Sequence, residues 1–176
     1  MNITGGEFKG QKIVAPDERI TRPTLSKIRM AVFNTLQSII DFEGKSFFDM
    51  YAGSGIMGLE ALSRGFNILY SCEKNKEASK ILQTNYKKFE KLREIKFFYG
   101  DSIKIAENFC KNNRLIDVTY IDPPYFSGIY EQSLEAVKTI SKLIIIEHVM
   151  NVNFNGFKII KQKQYGEKVI SIVKSE

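Results

Sequence analysis

Apolar and polar positions alternate in two distinct rhythms along the chain. Residues 1–21 break the apolar stretches with Gly5-Gly6, Gly10 and Pro16, which predicts a short β-hairpin or extended arm. Ile28, Ala31, Val32, Leu36 and Ile39 then recur at helical spacing, which predicts a helix from a Thr24 cap to about Ile40, just after Pro23. From Lys45 onward, short apolar runs alternate with amphipathic segments. Strands are predicted at Ser46–Tyr51, Asn67–Cys72, Ile95–Tyr99, Ile116–Ile121 and Lys142–Val149. Helices are predicted at Ile56–Ser63, Lys76–Leu92, Ser102–Asn112 and Tyr130–Ile140. Gly156–Gln162 and Lys168–Val173 follow without a helix between them and predict an antiparallel pair turning near Tyr165-Gly166.

Four β–α units in succession predict an α/β fold, its largely parallel sheet covered by helices on both faces. With the closing hairpin this is the seven-stranded, mostly parallel arrangement of Rossmann-like methyltransferases, preceded here by the hairpin and helix extension. The expected division is residues 1–40 as arm and helix and residues 41–176 as the main domain. In such sheets ligands bind outside the carboxyl ends of the strands. The glycine loop, Glu73, Asp101 and Asp122-Pro123-Pro124-Tyr125 all fall on that edge.

Composition narrows the class without deciding it. The 176 residues carry 26 Lys+Arg against 20 Asp+Glu, a net charge of +6 that leans towards a polyanionic partner. The longest apolar run, Leu143 to Ile146, is far short of a membrane span. Cys72, Cys110 and the single His148 match no metal spacing and read as structural residues. Isolated thiols and the lack of an apolar leader predict a cytoplasmic protein with neither metal nor membrane contact.

Gly53-Ser54-Gly55 with Gly58 gives the GxGxxG spacing between a strand and a helix, which also serves dinucleotides. Asp49 tilts the choice. A carboxylate would repel a pyrophosphate but favours the sulfonium and ammonium of S-adenosylmethionine. Glu73, 18 residues after Gly55, is placed to accept from ribose hydroxyls, and Asp101 from an adenine amino group or, alternatively, from the N–H groups of the helix it opens. Asp122-Pro123-Pro124-Tyr125 is a stiff loop presenting acceptors. The Asp122 carboxylate and the Pro123 carbonyl suit the two hydrogens of a nucleobase amino group, with Tyr125 stacking on the base.

Asp49-x-Tyr51-Ala52-Gly53-Ser54-Gly55 together with Asp122-Pro123-Pro124-Tyr125 resembles the amino-group methyltransferases that use S-adenosylmethionine. Gly5-Gly6-x-Phe8-Lys9-Gly10, Thr21-Arg22-Pro23-Thr24, Arg29, Phe33-Asn34, Leu59 to Gly65 and the late Tyr165-Gly166 resemble, more narrowly, the bacterial guanine-N2 methyltransferases of small-subunit ribosomal RNA. Leu25, Ser26 and Met30 depart from that pattern. The resemblance implies methylation of a guanine N2 in 16S rRNA on the assembled or assembling 30S subunit, by a monomer that releases S-adenosylhomocysteine. It implies a cofactor site of Asp49, Tyr51, Ala52, Gly53, Ser54, Gly55, Gly58, Glu73, Lys74, Asp101, Ser102 and Asp122, and a catalytic loop of Asp122, Pro123, Pro124 and Tyr125. RNA contacts are expected from Lys9, Lys12, Arg22, Thr24, Lys27 and Arg29. The competing readings are a DNA adenine-N6 or cytosine-N4 methyltransferase, which shares the four-residue loop, and a catalytically silent RNA-binding assembly factor of the same fold.

Overall fold

The computed structural model describes residues 1–15, 26–90, 92–124, 128–149 and 151–176. Its elements in chain order are α1 (Ser26–Gln37), β1 (Ser46–Asp49), α2 (Ile56–Ser63), β2 (Ile68–Glu73), α3 (Lys76–Tyr86), β3 (Glu94–Tyr99), α4 (Ser102–Lys111), β4 (Ile116–Ile121), α5 (Ile129–Val137), β5 (Ser141–His148), β6 (Phe157–Tyr165) and β7 (Lys168–Ser175). They build a seven-stranded sheet in the order β3-β2-β1-β4-β5-β7-β6. β1 to β5 pair in parallel, and β7 is antiparallel to both of its neighbours. This is the arrangement expected from the sequence.

The central strand β1 is buried throughout, as a parallel strand covered on both faces must be. Its alternation splits the interior in two. Phe47 faces a core shared with α1, α2 and α3, while Phe48 faces a core shared with α4 and α5. The order reverses between β1 and β4, so the crevice for a ligand opens where their carboxyl ends meet.

Residues 1–15 form a hairpin held by one antiparallel bridge, Asn2 to Lys12, and send Ile3, Phe8 and Ile13 into the same core as α1 and α2. The arm therefore shares its interior with the sheet, with no break in packing at residue 40. α1 and α3 fall furthest short of the spans their periodicity predicts. α1 ends at Gln37, where Ser38 and Ile39 donate three residues back to Thr35 and Leu36. Its expected Thr24 cap lies outside the described residues. α3 ends at Tyr86 because Phe89 donates to the Tyr86 carbonyl (2.8 Å) and turns into the core against Phe8, ring centroids 4.9 Å apart. Among the described residues no helix is long and apolar enough to cross a membrane.

Candidate cofactor and acceptor site

After Asp49 the chain passes over the strand tips while staying tied to both neighbours. Met50 N–H donates to the Tyr120 carbonyl of β4 (3.1 Å), and Ala52 N–H to the Cys72 carbonyl of β2 (2.9 Å). Gly53 and Gly55 take positive φ, 53° and 81°, which admits the turn into α2. The underside of the loop is filled by α3. A Cβ on Gly55 would lie 2.5 Å from the Tyr86 ring, and one on Gly58 would lie 2.6 Å from Leu69. Asn85, fully buried, donates to the Ser54 carbonyl (2.9 Å) and exchanges hydrogen bonds with both the N–H and the carbonyl of Val14. One amide side chain thus ties the N-terminal arm to the glycine loop.

Three carboxyl groups surround this loop. Glu73 accepts from Gly53 N–H (2.8 Å) and Asn75 N–H (2.7 Å), so it braces the loop from the tip of β2 while each oxygen keeps a second lone pair. Asp49 is 1% exposed, and among the described residues neither oxygen has a hydrogen-bond partner. Burial first, then the charges of Asp122 and Glu73, push its carboxyl up to about 8. The backbone N–H groups of Gly58 and Tyr51 offset part of this without reaching hydrogen-bond geometry. A buried carboxyl left in this state is costly unless a cationic donor is to meet it.

Asp101 Oδ1 caps α4 by accepting from Ile103 and Lys104 N–H (3.0 and 3.1 Å). The capping role foreseen for it is present, at a side chain exposed on the same edge. Ser102 turns inward and donates to the Met50 carbonyl, stitching α4 to the loop. Tyr51 shares a hydrogen bond with Ser133 of α5 (2.7 Å), and burial raises its phenol pKa. Lys74 is exposed, whereas Ala52 and Ser54 are buried within the turn. Burial also pushes the Cys72 thiol up to about 11, which keeps it protonated and unreactive.

Asp122 leaves β4 directly after Ile121 and is partly exposed, with Pro123 buried and Pro124 exposed beyond it. Tyr125 lies outside the described residues. Beneath this turn is a pair that the sequence reading missed. Glu147, 1% exposed, accepts from the Tyr120 hydroxyl (2.8 Å) and is paired with Lys168 at the start of β7. A lone acid closing the apolar run Leu143 to Ile146 was the available signal.

The family model described as conserved hypothetical protein 95 matches residues 1–174. The chain belongs to this family. It is 30% identical over 140 residues, 80% of this chain and 73% of the relative, to YlbH of Bacillus subtilis (strain 168), named provisionally as an rRNA methyltransferase. Over 139 residues, 78% of this chain and 67% of the relative, it is 28% identical to ribosomal RNA small subunit methyltransferase D of Escherichia coli (strain K12). The solved structure of Escherichia coli yhhF, likewise named provisionally as a methyltransferase, superposes with a TM-score of 0.83 at 21% identity. The match covers 100% of this chain and 98% of that one, and it shows the shared fold.

In this member of the family the arm and α1 divide the expected RNA-contacting residues. Lys9, Lys12 and Lys27 are exposed, while Arg22 and Thr24 lie outside the described residues. Arg29 is not held out to a phosphate. It is 1% exposed, its guanidinium donates to Glu60 Oε1 (3.1 Å) and the Asn2 carbonyl (2.8 Å), and it serves the junction between α1, α2 and the arm. A second buried contact explains Gly5-Gly6. Ser63 at the end of α2 donates to the Gly5 carbonyl (2.6 Å) and accepts from Phe8 N–H (2.9 Å), and a Cβ on Gly6 would lie 1.8 Å from the Ser63 carbonyl oxygen. That glycine pair is the seat of the arm on α2.

Proposed function

We propose that the protein transfers a methyl group from S-adenosylmethionine to the exocyclic N2 amino group of a guanine in 16S rRNA, on the assembled or assembling 30S subunit in the cytoplasm. The observation that carries this reading is the unpartnered Asp49 carboxyl beneath the glycine loop, within electrostatic reach of Asp122. The three carboxyl groups of Asp49, Glu73 and Asp122 lie within electrostatic reach of one another, a setting that favours a cation and disfavours a phosphate.

Bound there, S-adenosylmethionine would supply an electrophilic methyl group. Gly53 to Gly55 leave backbone room for it, Glu73 and Asp101 offer carboxylate oxygens to its ribose and base, and Asp49 faces its positive charge. Asp122 and the Pro123 carbonyl accept the two amino hydrogens of the guanine. This restores lone-pair density on a nitrogen otherwise delocalised into the ring and aims it at the donor. Buried Pro123 and the Tyr120–Glu147–Lys168 cluster underneath keep that turn rigid. The names of the relatives from Bacillus subtilis and Escherichia coli support ribosomal RNA as the substrate.

A labelled methyl-transfer assay comparing 16S rRNA, 30S particles and duplex DNA tests this, with the modified base read by mass spectrometry. N2-methylguanine confined to the ribosomal substrates is the expected product. Methylated adenine or cytosine in DNA would replace this reading with the DNA-enzyme one, and no product on any substrate would favour the silent assembly factor.

A further inference from the structure

The outermost strand, β6, is placed for a role that the arm does not exhaust. It runs antiparallel to β7, which runs antiparallel to β5, so β6 has the same direction as β1 to β5. Its carboxyl end, with Lys163 and Tyr165, therefore lies on the edge that carries the glycine loop and Asp122. The order β4-β5-β7-β6 puts it three strand spacings, roughly 14 Å, from the tip of β4.

The pairing with β7 breaks register between Ile159 and Lys161, which leaves Ile160 as the extra residue of a bulge. Strict alternation would set Lys158 on one face and Lys161 and Lys163 on the other. The bulge resets it. Lys158 lies opposite Lys174, Lys161 opposite Ile172 and Lys163 opposite Ile170, all on the face that packs towards α1. There Lys161, Lys163 and Tyr165 line a shallow, open groove with Ala31, Val32 and Thr35 over Ile170 and Ile172. Lys27 stands one helical turn before Ala31 and extends the same stripe of α1. Among the described residues none of Lys27, Lys158, Lys161, Lys163 or Lys174 has an acidic partner. Lys158 and Lys174 form a like-charge cross-strand pair, an arrangement that destabilises a sheet unless an outside anion relieves it. The Lys163 ammonium lies 5.3 Å from the Tyr165 ring centroid, which holds it over the groove.

We propose that this face of β6, with the adjoining stripe of α1, is a phosphate-backbone track for the RNA substrate, leading the strand along Lys158, Lys161 and Lys163 to the catalytic edge. It rests on the RNA-substrate reading above. Edge-strand lysines also block sheet-to-sheet association, but that task does not require them to share a face, which here only the bulge achieves.

The test is the full chain with K158Q, K161Q and K163Q combined, titrated with 16S rRNA, free and in 30S particles, across a salt series. S-adenosylmethionine affinity by calorimetry serves as the control for folding. The expected result is unchanged cofactor affinity, RNA affinity lower by ~10-fold or more, and a log–log salt slope shallower by roughly 2, the sum for three lost phosphate contacts at ~0.7 each. Wild-type RNA affinity and slope in the variant, with or without self-association, overturn the track and leave the enzymatic reading intact. RNA binding by the wild type that depends on these lysines but yields no methyl transfer supports the track and overturns the enzymatic reading. Absence of RNA affinity in the wild type overturns the track as well.

Discussion

Glu73 grips Gly53: the acid at the tip of β2 accepts the backbone N–H of the loop at the tip of β1 at 2.8 Å. Its other oxygen holds Asn75 N–H, so one side chain fixes two backbone positions before any ligand arrives. Glu73→Gln keeps the shape but turns an amide donor towards one of those N–H groups. We expect a loss of about 1–2 kcal/mol in folding stability and at least ~10-fold in S-adenosylmethionine affinity, that is, ~1.4 kcal/mol of binding free energy. Denaturant melts and calorimetry check both. Unchanged cofactor affinity would remove Glu73 from the site.

Asp122 serves the acceptor half of the proposed reaction. Asp122→Ala is expected to lower single-turnover methyl transfer by ~10²–10³, the usual effect of removing one preorganised hydrogen-bonding group, with cofactor affinity altered only a few-fold. Rapid-quench measurements on 30S particles separate the two. A variant as active as wild type contradicts the acceptor role.

The loop glycines are packed from below, so side chains there act on stability before function. Gly58→Ala drives a methyl into Leu69, which lies 2.6 Å from the ideal Cβ and is fully buried. Gly55→Ala meets the Tyr86 ring and also has φ +81°. Each should cost ~1–3 kcal/mol from overpacking, with Gly55→Ala the worse because of its backbone. Chemical denaturation of the two variants ranks them, and the reverse order would mean that Tyr86 yields more readily than Leu69.

Much of this was legible because local chemistry and global fold agree. β4 is a six-residue run, Ile116–Ile121, ended by two prolines, and its bounds are those expected. The glycine loop sits where a strand pattern meets a helix pattern. The misreadings have long-range causes. Phe89 follows Tyr86 and Leu82 at helical spacing, and its packing against Phe8, far away along the chain, is invisible to that spacing. Arg29 looks like a surface charge on an amphipathic helix because its counter-ion, Glu60, is 31 residues away. Asn85 looks like one more polar residue of α3, since Val14 and Ser54 are 71 and 31 residues distant.

Arg29 accordingly belongs to folding and not to RNA recognition. Arg29→Ala leaves the fully buried Glu60 with Arg64 and the Thr4 N–H but without its second guanidinium, and opens the α1–α2 junction, at a cost of about 3–5 kcal/mol. Lys27→Ala on the same helix should leave stability within ~0.5 kcal/mol and weaken RNA binding. Paired thermal melts and RNA titrations test the contrast. A stable Arg29→Ala protein with a selective RNA defect would restore the phosphate role.

Asp49 makes the stability and the cofactor binding depend on pH in a definite direction. Its carboxyl is raised from 3.8 to about 8 by burial and by Asp122 and Glu73. Between those values the folded protein holds a proton that the unfolded chain has released. Stability from this group is therefore full below the lower value and declines as pH rises towards about 8, with a slope approaching ~1.4 kcal/mol per pH unit. A cation seated against the carboxylate reverses the preference, so binding S-adenosylmethionine near neutral pH should expel a proton. Calorimetry in buffers of different ionisation enthalpy would show that release in the wild type and none in Asp49→Asn, and denaturant melts across the pH range would lose the corresponding slope in the variant. If cofactor binds the wild type with no proton released while the melts keep their pH slope, Asp49 stays protonated in the complex, and its unpartnered carboxyl is not the seat of the positive charge.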